Sequence, residues 1–203
     1  MATRSLLADL AGAARAAGLP PVEIESVGGV DAEARVAAGE PFDLVVLAAG
    51  ALDRLAVGGH LDGATVTPLV RSQVAVAVPE PGAPAASDPG VPAFADAAAV
   101  RSALRTAGRI GYSTGPSGTA LARMIEAWDL GSEIKGLLLQ ARPGVPVAVS
   151  LAAGDVDLGF QQLSELVGQP GVRILGVLPP DCAIDTIFSG AVTAASVDPM
   201  RAA

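Results

Sequence analysis

The chain has 203 residues, 51% of them hydrophobic and 3% aromatic, with a formal charge of −8. That length suits one large domain or two small lobes, while the acidity argues against nucleic acid, whose binding needs clustered Lys and Arg. Scarce aromatics argue against an aromatic-lined sugar or nucleobase site, and no stretch of about 18 residues free of charges or breakers is present to cross a membrane.

Taken in order, the elements alternate. Residues 4–17 read as an amphipathic helix with Leu6, Leu7, Leu10 and Ala14 on one side, and not as a signal peptide. A cytoplasmic location is therefore expected for the sequence as it stands, or a periplasmic one if a leader precedes it. Val22 to Val27 alternates as a strand and ends in Gly28-Gly29; Asp31 to Ala38 follows as a helix closed by Gly39. Phe42 to Ala48 is an apolar run broken only by Asp43, as in a parallel strand buried on both faces, and Ala51 to Val57 makes a short helix.

Val66 to Val78 holds two strand-like pieces around Arg71-Ser72-Gln73, and Pro79 to Pro92 reads as a surface loop. Ala95 to Ala107 is helical. Strands are expected at 109–112, 134–140, 156–160 and 172–177, a helix from about Pro146 to Ala153, a helical turn at 161–167, and a last extended run from Ile184 to Thr193. Alternating β and α elements predict an α/β fold with parallel sheets, whose ligands gather beyond the carboxyl ends of the strands.

The segment with the most chemistry is Tyr112-Ser113-Thr114-Gly115-Pro116-Ser117-Gly118, set between a short strand and a helix carrying Leu121, Met124, Ile125 and Trp128. Its amides, with the unpaired donors of the first helical turn, can converge on an anion, and Ser113, Thr114 and Ser117 add hydroxyls. It lacks the lysine of a P-loop, so a small oxyanion fits better than a nucleotide triphosphate. A capped helix start reads the same residues without a ligand. Gly28, Gly29 and Val30, the loop around Gly144 and Val145, and the amides of Gln161 and Gln162 lie at similar strand ends. Adjacent glutamines on a strand point to opposite faces, so at most one of this pair is expected to face a ligand. Arg71 reads either as an anion contact or as the partner of a surface acid.

Other motifs carry less. Ser132-Glu133-Ile134-Lys135 matches a Ser-x-x-Lys nucleophile pattern without its companion motifs. His60 stands alone, so no metal site is expected, and Cys182 is the single cysteine. No nucleophile–base pair emerges, so catalysis and a cofactor are not expected.

The order of these segments resembles the type II periplasmic-binding-protein superfamily, and within it the molybdate-binding, ModA-like proteins. The resemblance is carried by Glu25 to Val30, Ala38 to Val46, Val70 to Val78, Gly111 to Gly118 and Leu151 to Phe160, and it covers most of the chain. It implies two α/β lobes, residues 1–70 with 185–203 and residues 71–184, joined by two crossover strands and closing by hinge motion over a small anion. The family's first strand and C-terminal helix are expected to be absent. By position, Gly29, Val30, Ser117 and Val145 would donate amides, Pro116 would not, and Gln162 stands where the family often has tyrosine. Molybdate, tungstate, sulfate or a small carboxylate is then the ligand, and an ABC permease the partner. A ligand-sensing module of the LysR effector-domain type, and a small-acid enzyme on the same fold, are the alternatives.

Overall fold

A computed structural model describes residues 3–80 and 90–197. In chain order it contains α1 (Arg4–Ala16), α2 (Gly29–Ala37), β1 (Leu44–Ala48), α3 (Ala49–Val57), β2 (Thr67–Pro79), α4 (Ala97–Thr106), β3 (Ile110–Tyr112) and α5 (Pro116–Ala127). There follow α6 (Gly131–Ile134), β4 (Leu138–Gln140), α7 (Val147–Ala152), β5 (Leu158–Gln162), α8 (Leu163–Leu166), β6 (Val172–Val177) and β7 (Asp185–Val192). Two compact units result: one of residues 1–70 with 187–203, the other of residues 71–186. Most of the expected surface loop, residues 81–89, lies outside the described residues.

The unit spanning 71–186 is an α/β sandwich around strands in the order β6-β2-β5-β3-β4. β3 runs parallel to both β4 and β5, whereas β2 is antiparallel to β5 and β6. Period-two alternation divides β2 between two cores. Val74 and Val76 join Ile110, Phe160, Val100, Leu104, Leu121 and Ile125 on one face, under α4 and α5. Ala75 and Ala77 join Val147, Leu151, Val156 and Ile174 on the other, under α7. The small residues on that second face matter. Gly111 and Gly159 are paired across β3 and β5, and a Cβ on either would come within 2.9 Å of Val147 Cγ1. Glycine at both positions lets α7 lie directly on the sheet.

The other unit is thinner. β1 pairs antiparallel with β7, Val46 opposite Gly190, and α2 and α3 cover it through Val36, Val45, Leu47, Leu52 and Leu55. Two expectations are corrected here. β1 is not a parallel strand buried on both faces: Val45 and Leu47 are buried, but Leu44 is largely exposed. Val22 to Val27 forms no strand, because no neighbouring edge among the described residues bonds its backbone. The segment is tied instead by side chains, with Arg35 donating to Glu25 at 2.5 Å and to Glu40 at 2.8 Å and stacking on Phe42 at 4.8 Å. α1 has no buried residue, and its Leu10 is 53% exposed.

Further differences are local. The two strand pieces around Arg71 are one continuous strand, β2. The strand expected from Ile134 shortens to Leu138–Gln140 because residues 131–137 turn helically first. Pro146 caps α7 from outside, in extended geometry, so the first helical turn begins at Val147. Among the described residues, no helix is long and apolar enough to cross a membrane.

Candidate functional site

In the larger unit, the carboxyl ends of β3 and β5 lie side by side, Tyr112 opposite Phe160. Between β3 and α5 the chain passes through Ser113, Thr114 and Gly115, the last being an extended N-cap without side-chain support. Pro116 occupies the first helical position, where its missing N–H removes nothing from the ladder. The first intrahelical bond of α5 runs from Thr119 N to Gly115 O at 3.1 Å. The Ser117 and Gly118 amides lie ahead of it, directed out of the helix start.

Two features hold that start in place. The Ser113 and Ser117 hydroxyls are buried and 2.9 Å apart. One of them donates to the other, which leaves one hydroxyl proton available. Gly118 is buried so closely against the preceding loop that a Cβ would collide with the Ser113 carbonyl oxygen. Glycine here serves close approach. The result is a small group of donors, two amides and a hydroxyl, at the positive end of a twelve-residue helix.

The two glutamines at the end of β5 part company. Gln161 Oε1 accepts the Val147 amide at 2.7 Å, and its Nε2 donates to Glu165 at 2.6 Å. It therefore caps α7 and fastens α8. Gln162 lies on the opposite face of the sheet with Phe160, and its Nε2 donates to Thr186 Oγ1 at 2.8 Å. Both side chains are buried.

The remaining candidates are placed as follows. Val145 N donates to Arg142 O at 3.0 Å, closing a turn that Gly144 makes possible with φ +75; its amide is thus occupied within its own loop. Thr114 is exposed. Arg71 pairs with Asp185 at 3.3 Å on the surface. In the smaller unit, Gly28 caps α2 and the Gly29 and Val30 amides precede its first bond, Ala32 N to Gly28 O. Asp31 folds back beside Gly28, where a Cβ would lie 3.3 Å from its carboxylate, so an acid already sits by those amides. Val30 is 74% exposed.

Sequence reasoning passed over a groove of about 420 Å³ that starts at Tyr112 and Gly118 and runs along α5 past Thr119, Ala122 and Arg123, with Gln140 opposite. Its signal was present: Thr119, Ala122, Arg123 and Glu126 fall on one helical face that begins next to Gly118. Thr186, the partner of Gln162, has no local sequence signature. Cys182 is unsuited to nucleophilic work, since burial, reinforced by the Asp181 charge, pushes its thiol up to about 11.

The family profile described as "Bacterial extracellular solute-binding protein" matches residues 1–203. An aconitate isomerase from a Pseudomonas species is 34% identical over 170 residues, 83% of this chain and 62% of that protein, so the chain spans less than two thirds of this relative. Among solved structures, the periplasmic molybdate-binding protein of Azotobacter vinelandii aligns with a TM-score of 0.74 at 18% identity, covering 98% of this chain and 85% of that one. A substrate binding domain assigned to a molybdenum ABC transporter of Clostridium difficile gives 0.70 at 16%, covering 99% and 85%. Identities this low speak for the fold alone. With its whole length matched and its architecture that of the type II periplasmic binding proteins, the chain belongs to the family of bacterial extracellular solute-binding proteins.

Proposed function

We propose that this protein binds a small organic acid, without chemical change, at the carboxyl ends of β3 and β5, and that it serves an ABC permease. The observation that carries the reading is the buried Ser113–Ser117 hydroxyl pair set beside two α5 amides that precede the first intrahelical bond. An ionised carboxylate is acceptor-only, and these groups donate. A micromolar complex needs about −8 kcal/mol. Two amides and one hydroxyl at about 1.5–3 kcal/mol each, with about 0.3–2 from the helix end, give this unit a large share of that before ordering costs. An organic acid is favoured over molybdate because the 34% relative is named for a tricarboxylic acid, whereas the molybdate-binding structures are 16–18% identical.

A second reading, an isomerase acting on an unsaturated acid, has that same relative's name in its favour. Against it, among the described residues no histidine, lysine or carboxylate bonds either serine hydroxyl, and the Cys182 thiol is held protonated.

A thermal-shift panel of citrate, malate, cis-aconitate, trans-aconitate, molybdate, sulfate and phosphate tests the reading. An acid at 100 times its Kd stabilises by about 2.7 kcal/mol, a rise of roughly 5–11 °C for a chain of this size. Responses to molybdate alone would replace the organic acid with an oxyanion, and a flat panel would remove the site. Conversion of cis- to trans-aconitate during incubation would favour the enzyme.

A further inference from the structure

Gln162 ends β5 with a side chain only 3% exposed. Its Nε2 is engaged by Thr186, but its Oε1 has no hydrogen-bond partner. Buried acceptors are rarely left so, because an unmade bond in the interior is a net loss. Its neighbour Gln161 shows what full satisfaction looks like, with both amide atoms bonded.

The place of this acceptor follows from register. β3 and β5 are parallel with Tyr112 opposite Phe160, and Phe160 packs into the core under α5. Two residues on, at the strand's carboxyl end, Gln162 keeps that face. The α5 face and carboxyl end are also where the Ser113–Ser117 pair and the Ser117 and Gly118 amides lie. Three donors and one buried acceptor thus share one end of one face.

Such a set is complementary to a guest that brings negative oxygens and a proton of its own. Resting on the reading of this site as an acid-binding one, we infer that the ligand is a hydroxy acid: its carboxylate faces the α5 donors and its hydroxyl donates to Gln162 Oε1. A fully ionised oxyanion such as sulfate would set lone pairs against that oxygen. Carboxylic acids are ionised at neutral pH, so the hydroxyl is the proton such a ligand can offer.

The test is calorimetric titration of the whole chain at pH 7.5 with two matched pairs, malate against succinate and citrate against propane-1,2,3-tricarboxylate. Each pair differs by one hydroxyl. In at least one pair the hydroxy acid should bind about 10–100-fold more tightly. In Gln162→Met that gap should narrow to about threefold or less, with a melting curve to verify folding. The wild-type comparison decides the matter even if the variant does not fold. Equal affinities within both pairs, or sulfate binding more tightly than either hydroxy acid, overturn the inference and leave anion binding intact. Failure of every acid and anion to bind overturns the site and this inference together.

Discussion

Gly118→Ala probes the mechanism at its narrowest point. A Cβ at this position collides with the Ser113 carbonyl oxygen, and that atom is backbone, so no rotamer change relieves it. Two effects compete. Alanine improves helix propensity over glycine by about 1 kcal/mol, whereas forcing an extra carbon into a packed interior costs about 1–3 kcal/mol. Strain wins or nearly balances, leaving a net loss of up to about 2 kcal/mol. For a 203-residue chain that lowers Tm by up to roughly 4–8 °C. Binding should suffer more. Relief requires the start of α5 to move from the loop, which misaims the Ser117 and Gly118 amides, and losing one charge-assisted bond costs about 1.5–3 kcal/mol. Citrate affinity, measured by titration calorimetry, should fall about 10–100-fold. Citrate affinity within twofold of wild type would refute the claim that this close approach aims the donors.

Gln161→Leu should destabilise the protein by about 1 kcal/mol through loss of the α7 cap, read by urea denaturation, with citrate affinity unchanged because that side chain faces α7. Alkylation of Cys182 by iodoacetamide should be slow at pH 8 and rise with a midpoint near 11; a midpoint near 8.5, the ordinary thiol value, contradicts its burial. The Arg35 hydrogen bond holds Glu25 below the usual carboxylate range. Its contribution is therefore complete above about pH 4.3 and lost as pH falls through the lowered value. Amides of residues 22–27 should exchange faster at pH 3 than the intrinsic pH dependence explains, and Arg35→Met should abolish the difference. Hydrogen exchange should also find α1, with no buried residue, least protected among the helices longer than two turns, and α5 far better protected.

The sequence disclosed the larger unit well because its segments are locally consistent. Leu121 and Ile125 recur at helical spacing, and Gly111 to Gly118 has glycine and hydroxyls where a strand must turn into a helix. The smaller unit was less legible. Val22 to Val27 alternates like a strand, but alternation specifies a face and not a partner, and the segment takes up no regular secondary structure. Leu44 to Ala48 is apolar throughout, yet its direction against β7 is a tertiary outcome that no run of hydrophobics encodes. At the site, period two separates Gln161 from Gln162, but nothing local reveals that Gln161 caps α7 or that Thr186, 24 residues on, engages Gln162. The Val145 amide read as open because turn bonds such as that to Arg142 are invisible in sequence.

The central claim is that the first amides of α5 receive the acid. A ¹⁵N–¹H correlation titration with citrate observes those amides directly. The Ser117 and Gly118 resonances should move together and saturate, while Val145 and Val147, already bonded to Arg142 and Gln161, stay within their linewidths. Saturable shifts at Val145 and Val147, with Ser117 and Gly118 unmoved, would contradict it.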